Sequence, residues 1–274
     1  MIKLIAVDLD GTLVNDQEKV SQANIDALRA AHQQGIKVVI CTGRPIKSSQ
    51  AVIDQLNLKG DEDYLITFNG GQLLRASDNQ VIYEAGMDMT DFKRWYEATQ
   101  AVDLPLNVID DQWVYEPLSY PQAGPSIYVS DITTAPSKRV DFESFDSSQT
   151  FLKFVSGTRV EHLQEQYTRL KSDLLAAYNV VFSRDCLLEI MKKGTSKADT
   201  LKVLGQRLNI SPEEMMTIGD QGNDMSMIAM AGIGVAMGNA KQAVKDIADY
   251  VTQTNNEDGV AHAIHHWILD SKEG

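Results

Sequence analysis

Four short stretches of this chain place reactive side chains where the backbone turns. The run "IAVDLDGTLV" sets Asp8 and Asp10 two residues apart and then turns through Gly11 and Thr12. Carboxylates that close repel each other and raise each other's proton affinity unless a cation or a shared task holds them. Further along come Thr42, Gly43 and Arg44 in "CTGRP", Lys197 in "KGTSK", and Gly219, Asp220, Asn223 and Asp224 in "GDQGND". Asp8 and Asp220 together suit a hard divalent ion such as Mg2+, which prefers carboxylate oxygens and water. An ion with so few protein ligands admits phosphate oxygens to its shell. Thr42 and the amides beside Gly43 could hydrogen-bond the same phosphate, next to a helix opening at Pro45. Lys197 falls in the first turn of a helix, where the macrodipole disfavours a cation, and a bound anion would remove that penalty.

Each stretch alone also reads as ordinary turn, cap or surface chemistry. Their joint placement at the ends of successive strands is what turn chemistry does not explain. Two other features carry less. His262, His265 and His266 have the spacing of helix-borne metal ligands, but Val260, Ile264, Trp267 and Ile268 share the opposite face, so the histidines are expected at the surface. Between residues 87 and 184 lie 14 of the 19 aromatic residues, expected mainly to form a core.

The elements that must hold these groups follow from periodicity. "KLIAVDLD", "IKVVICTGR" and "DYLITFNG" are short, β-branched and apolar on both faces, as in the middle of a parallel sheet. Between them, "SQANIDALRAAHQQG" runs from cap residue Ser21 to Gly35, and "RPIKSSQAVIDQLNL" opens with Pro45. The grammar returns with a helix over 195–209, a capping box in "SPEE", and strands at 215–220, 232–237 and 249–253 around a helix at 224–231. Alternation at both ends predicts a doubly wound α/β domain with a parallel sheet. The middle differs: it holds 5 of the 7 prolines, and 117–139 has no helical period. The expected organisation is a core from 1–84 and 187–274 carrying an inserted α+β cap at 85–186.

Composition bounds the function. The 274 residues are 43% hydrophobic and 23% charged, with a formal net charge of -13 and a pI of about 4.8. So acidic a chain is not expected to take nucleic acid or an anionic membrane surface as partner. Two cysteines, Cys41 and Cys186, form no zinc or disulfide pattern. With no apolar run long enough for a membrane helix, the expected location is the cytoplasm.

With these motifs in hand, the sequence resembles the haloacid dehalogenase-like (HAD) hydrolases, and among them the Cof-type bacterial sugar phosphatases with a large cap. The resemblance rests on "DLDGT" (8–12), "TGR" (42–44), "KGTSK" ending at Lys197 and "GDQGND" (219–224). "FNGG", "LEI" and "NNEDGVAHAI" extend it along essentially the whole chain. It implies a HAD-like Rossmannoid core in which Asp8 is the nucleophile and Asp10 the general acid and then base. It also implies Mg2+ held by Asp8, the Asp10 backbone carbonyl and Asp220, with Asp224 orienting a ligand water. Thr42, Lys197, Asn223 and the amides of Leu9 and Gly43 would bind the phosphoryl group, with Arg44 beside them, and 13–20 would form the flap.

The expectation is a Mg2+-dependent phosphatase acting on a small-molecule phosphate ester, a sugar phosphate first, through an aspartyl-phosphate. Flavin-precursor, pyridoxal and nucleotide phosphates are the alternatives. So is a phosphomutase, which would return the phosphoryl group to substrate instead of water. A phospho-acceptor signalling domain shares the acidic cluster and lysine but needs no cap.

Overall fold

The computed structural model describes residues 1–56 and 63–270, which divide into two compact units. The first gathers Met1–Arg44, Ser49–Tyr83 and Ser196–Gly274, and the second Pro45–Ser48 and Glu84–Thr195.

Chain entry into the first unit follows the expected alternation: β1 (Leu4–Asp8), α1 (Gln22–Gln33), β2 (Lys37–Cys41), α2 (Ile46–Leu56), β3 (Tyr64–Thr67), β4 (Gln72–Arg75) and β5 (Val81–Glu84). Ser21 caps α1 by accepting the Asn24 N–H, and past its end Gly35 takes the left-handed conformation (φ 84°), open to it because it has no Cβ. The expected helix after Pro45 reaches Leu56, and its remaining residues, Asn57 and Leu58, lie outside the described residues.

The inserted chain forms α3 (Met89–Ala101), β6 (Asn107–Ile109), β7 (Val114–Pro117), β8 (Ser137–Val140), β9 (Lys153–Gly157), α4 (Val160–Tyr167), α5 (Ser172–Ala177), β10 (Tyr178–Arg184) and β11 (Leu187–Lys192). Its sheet has the order β10-β11-β9-β6-β7-β8. One face carries an aromatic core in which Phe92 stands at the centre of Tyr96, Phe142, Phe145, Phe151 and Phe154. The opposite face of β9 and β11 carries Lys153 and Glu189, buried and paired at 2.6 Å. The expected boundary at 186/187 needs correction. β11 pairs antiparallel with both β9 and β10, so its ladder hydrogen bonds hold 187–192 in the second unit. The chain returns to the first unit only at Ser196.

The return supplies α6 (Lys197–Leu208), β12 (Met215–Gly219), α7 (Met225–Met230), β13 (Ile233–Ala236), α8 (Gln242–Lys245), β14 (Tyr250–Val251) and α9 (Gly259–Ile264). The eight-stranded sheet runs β14-β13-β12-β1-β2-β3-β4-β5. Every pair from β14 to β3 is parallel, and β3–β4 is antiparallel. Alternation along β1 sorts its side chains: Leu4 and Ala6 join Ala198, Leu201 and Leu204 of α6 and Met227 of α7 in one cluster, leaving Ile5 and Val7 for the other face. Each buried leucine or methionine of this cluster contributes about 1.5–3 kcal/mol. Among the described residues no helix is long and apolar enough to cross a membrane.

Candidate active site

Parallel strands all finish on one edge of a sheet, and the crevice forms where chain order reverses. Here the reversal falls at β1, with β2 and β3 to one side and β12 and β13 to the other. Asp8 ends β1, Thr42 follows β2 by one residue, and Asp220 follows β12 by one. Asp224 closes the short helical turn Gly222–Asp224 after β12. Lys197 is the first residue of α6, whose cap Ser196 accepts the Asp199 N–H.

Those positions bring together four charges. The Lys197 ammonium, fully buried, donates to the Asp8 carboxylate and, at 2.7 Å, to Asp224 Oδ1. Asp8, Asp220 and Asp224 offer oxygens all within 4.8 Å of one another, the one group of three or more such ligands among the described residues. Asp224 Oδ2 also accepts the amides of Asp220 and Gln221, both at 3.0 Å, so Asp224 is fixed from two directions. Asp220 receives Thr12 Oγ1 at 3.3 Å and Gln221 Nε2 at 3.0 Å.

The electrostatics follow from three acids facing one ammonium. Burial, then Asp224, pushes the Asp8 carboxyl well above its ordinary range, with Lys197 pulling the other way. Burial and Asp224 likewise push Asp220 up to about 7. For Lys197, burial opposes the charge, but Asp224 and Asp8 outweigh it and the net direction is upward. Its helix-terminal penalty is therefore relieved by protein carboxylates, where the sequence pointed to a bound anion. Burial also pushes the Cys41 thiol up, making it an inert neighbour.

Asp10 behaves differently from Asp8. Its carboxylate receives both Arg44 Nε, at 2.9 Å, and the terminal guanidinium nitrogen, a two-point pair outside the acidic cluster. The two neighbouring acids thus meet separate cations of the chain, Lys197 and Arg44, yet Asp10 still adds to the upward push on Asp8. Arg44, expected beside the phosphate, is engaged by Asp10 in this arrangement. Thr42 is buried, and its hydroxyl accepts the Arg44 amide at 3.1 Å. Asn223 Nδ2 reaches Asn69 Oδ1 at 2.9 Å, while Asn223 Oδ1 is buried with no hydrogen-bond partner. Leu9 is fully buried, its carbonyl accepting the amides of Leu13 and Val14.

Two contributors were not singled out from sequence as site residues, Thr12 and Gln221; Asn69 stands in the "FNGG" stretch at the end of the third strand but was given no role. Thr12 stood in the turn after Asp10 and Gln221 between two motif residues, so only their partners were missing. Asn69 sits at φ 55°, a conformation asparagine tolerates better than most residues. Close packing explains two glycines. A Cβ on Gly11 (φ 74°) would fall 2.6 Å from Asp220 Oδ2, and one on Gly219 would fall 2.5 Å from the Asp224 Cβ. The histidines His262, His265 and His266 are exposed, with His266 stacked on Tyr250 at 4.8 Å between ring centres.

Comparison with known proteins accords with this geometry. A family model described as haloacid dehalogenase-like hydrolase matches residues 5–264. The chain is 36% identical over 269 residues to YxeH of Bacillus subtilis, covering 98% of this chain and 99% of that protein. It is 33% identical over 284 residues to the 5-amino-6-(5-phospho-D-ribitylamino)uracil phosphatase YcsE of the same organism, covering 98% and 96%. Among solved structures, the HAD subclass IIB sugar phosphatase BT4131 superposes with a TM-score of 0.77 at 27% identity, covering 97% of this chain and 98% of that one. Family match, coverage and strand-edge geometry agree: the chain belongs to the haloacid dehalogenase-like hydrolases and is a phosphatase, a phosphoric monoester hydrolase.

Proposed function

We propose that this phosphatase is Mg2+-dependent and cleaves a small phosphorylated metabolite through an aspartyl-phosphate on Asp8. The observation that carries the reading is the Asp8–Lys197–Asp224 contact with Asp220 beside it, at the switch point of the sheet. An Asp8 carboxylate oxygen attacks phosphorus while the ester P–O bond breaks, and Asp10 gives its proton to the departing oxygen. Water then attacks the same phosphorus, Asp10 takes a proton from it, and inorganic phosphate leaves with Asp8 restored. Lys197 holds the nucleophile in place and lowers the negative potential an incoming phosphate would meet. Thr42, Asn223 and the amides of Leu9 and Gly43 would donate to the phosphoryl oxygens.

The donor set suits the metal. Three hard carboxylates against one ammonium leave surplus negative charge, and after burial it is Asp224 that pushes Asp220 upward. Asp8, Asp220 and the Asp10 carbonyl would hold Mg2+, Asp224 orienting the shell, and the bound ion would supply the missing positive charge.

For the substrate, a phosphate on a polyhydroxylated carbon chain is the reading the relatives support. BT4131 is named a sugar phosphatase, and the YcsE substrate name describes a phosphorylated ribityl chain on a uracil ring. The second unit, as a cap, would set the choice between them. Phosphate release from a panel of sugar, flavin-precursor, pyridoxal and nucleotide phosphates, with Mg2+ and again with EDTA, tests the proposal. Selective hydrolysis of the polyol class, lost on chelation, is expected; equal turnover in EDTA would refute the metal assignment.

A further inference from the structure

The motif "NNEDG" near the chain's end takes no part in the mechanism above, yet its side chains converge on the loop that carries Asp10. Residues 14–20 form a small hairpin closed by a Val14–Val20 bridge. It is pinned within by Asn15 Oδ1, which accepts the amides of Gln17 and Lys19. Asn255, 6% exposed, donates through Nδ2 to the Val14 carbonyl at 3.1 Å and to Asp16 Oδ1 at 3.2 Å. Asn256 receives the Asp16 amide at 3.1 Å and donates to Asp16 Oδ2 at 2.9 Å. The Asn255 backbone N–H donates to Asn239 Oδ1 at 2.9 Å, and Asn239 Nδ2 donates to the Gly11 carbonyl at 2.8 Å.

Asparagine is the side chain for this task, since each amide can accept with one end and donate with the other. Loops after β13 and β14 thereby grip the Asp10 loop at Gly11, Val14 and Asp16. The grip on Gly11 fixes the peptide between Asp10 and Thr12. Asp10 is the proton carrier of the proposed reaction, and Thr12 donates to Asp220. A catalytic group on a loop is only as well placed as the backbone beneath it.

We propose that Asn239 and Asn255 are positioning residues for turnover, acting through the Gly11 and Val14 carbonyls to hold Asp10 and Thr12 in register with Asp8. The inference rests on the role given to Asp10 above. Full-length Asn239→Ala and Asn255→Ala are assayed with p-nitrophenyl phosphate and Mg2+ well below their melting temperatures, beside Asp10→Asn. Hydrogen exchange at Leu13–Lys19 is followed in the same samples. Positioning predicts a kcat per folded molecule at least fivefold lower in each, KM within about twofold, and faster exchange across the hairpin. A smaller loss of kcat in either variant overturns it, whatever the change in melting temperature. Asn239 is exposed, so its truncation reads out even if Asn255→Ala fails to fold. Full activity in Asp10→Asn would instead refute the mechanism itself; an inactive Asp10→Asn beside fully active asparagine variants refutes the clamp alone.

Discussion

Two buried lysines, one in each unit, keep different company. In the second unit Lys153 meets Glu189 at 2.6 Å on the sheet face opposite the aromatic core. In the first, Lys197 meets Asp8 and Asp224 while Asp220 completes a three-acid group. A cation paired with an acid within a sheet can be part of the fold's own architecture. A cation outnumbered by acids is stabilised at the expense of those acids, which then need further positive charge. That inequality is visible in Asp8 and Asp220, both pushed upward by burial and then by Asp224. Both units thus rest on buried apolar packing, while unresolved charge gathers at the strand edge of the first.

Substitutions can break that contrast. Asp8→Asn should lower phosphate release by more than about a thousandfold while circular dichroism stays that of the parent, since it removes the proposed nucleophile and one charge but no apolar contact. Lys197→Met comes next. It leaves buried carboxylates without their cation and should cost about 3–5 kcal/mol in urea unfolding, with turnover lost as well. Phe151→Ala tests the other region. Removing a fully buried ring from the aromatic cluster should cost about 3 kcal/mol and act through stability.

The smallest effect is the most diagnostic. Asp220 carries an ordinary value of 3.8 raised to about 7 in the fold. The folded chain therefore binds more protons than the unfolded one between these limits, and stability falls as pH rises through them. Metal-free protein should lose several degrees of melting temperature from about pH 4 to 7, and Asp220→Asn should flatten that slope. A slope unchanged in Asp220→Asn would separate the carboxylate cluster from the charge surplus assigned to it.

Much of the first unit was legible because its signals are local. β1, β2 and β12 are continuous apolar runs, Ser21 is a cap, "SPEE" is a capping box, and the polar residues at strand ends follow once the strands are parallel. What sequence could not reveal was pairing across distance. Nothing near Arg44 marks Asp10, 34 positions earlier, as the acid it grips. Nor does anything near Lys197 say that carboxylates satisfy it. The boundary at 186/187 was misplaced for the same reason: "LLEIM" reads as a buried strand, but which sheet receives it depends on β9 and β10. In 117–139, breakers obscured a pattern that lies in backbone geometry, a wide helical turn at Tyr128–Ile132 followed by β8.

The seam where the chain comes back to its first unit lies between Thr195 and Ser196, a single residue ahead of Lys197. An exchange of the inserted lobe for another, by recombination or by design, would have to rejoin the chain beside its deepest cation. Grafts that keep Ser196 and Lys197 with their own helix should retain hydrolysis with a foreign lobe, whereas a splice even two residues later would remove the ammonium.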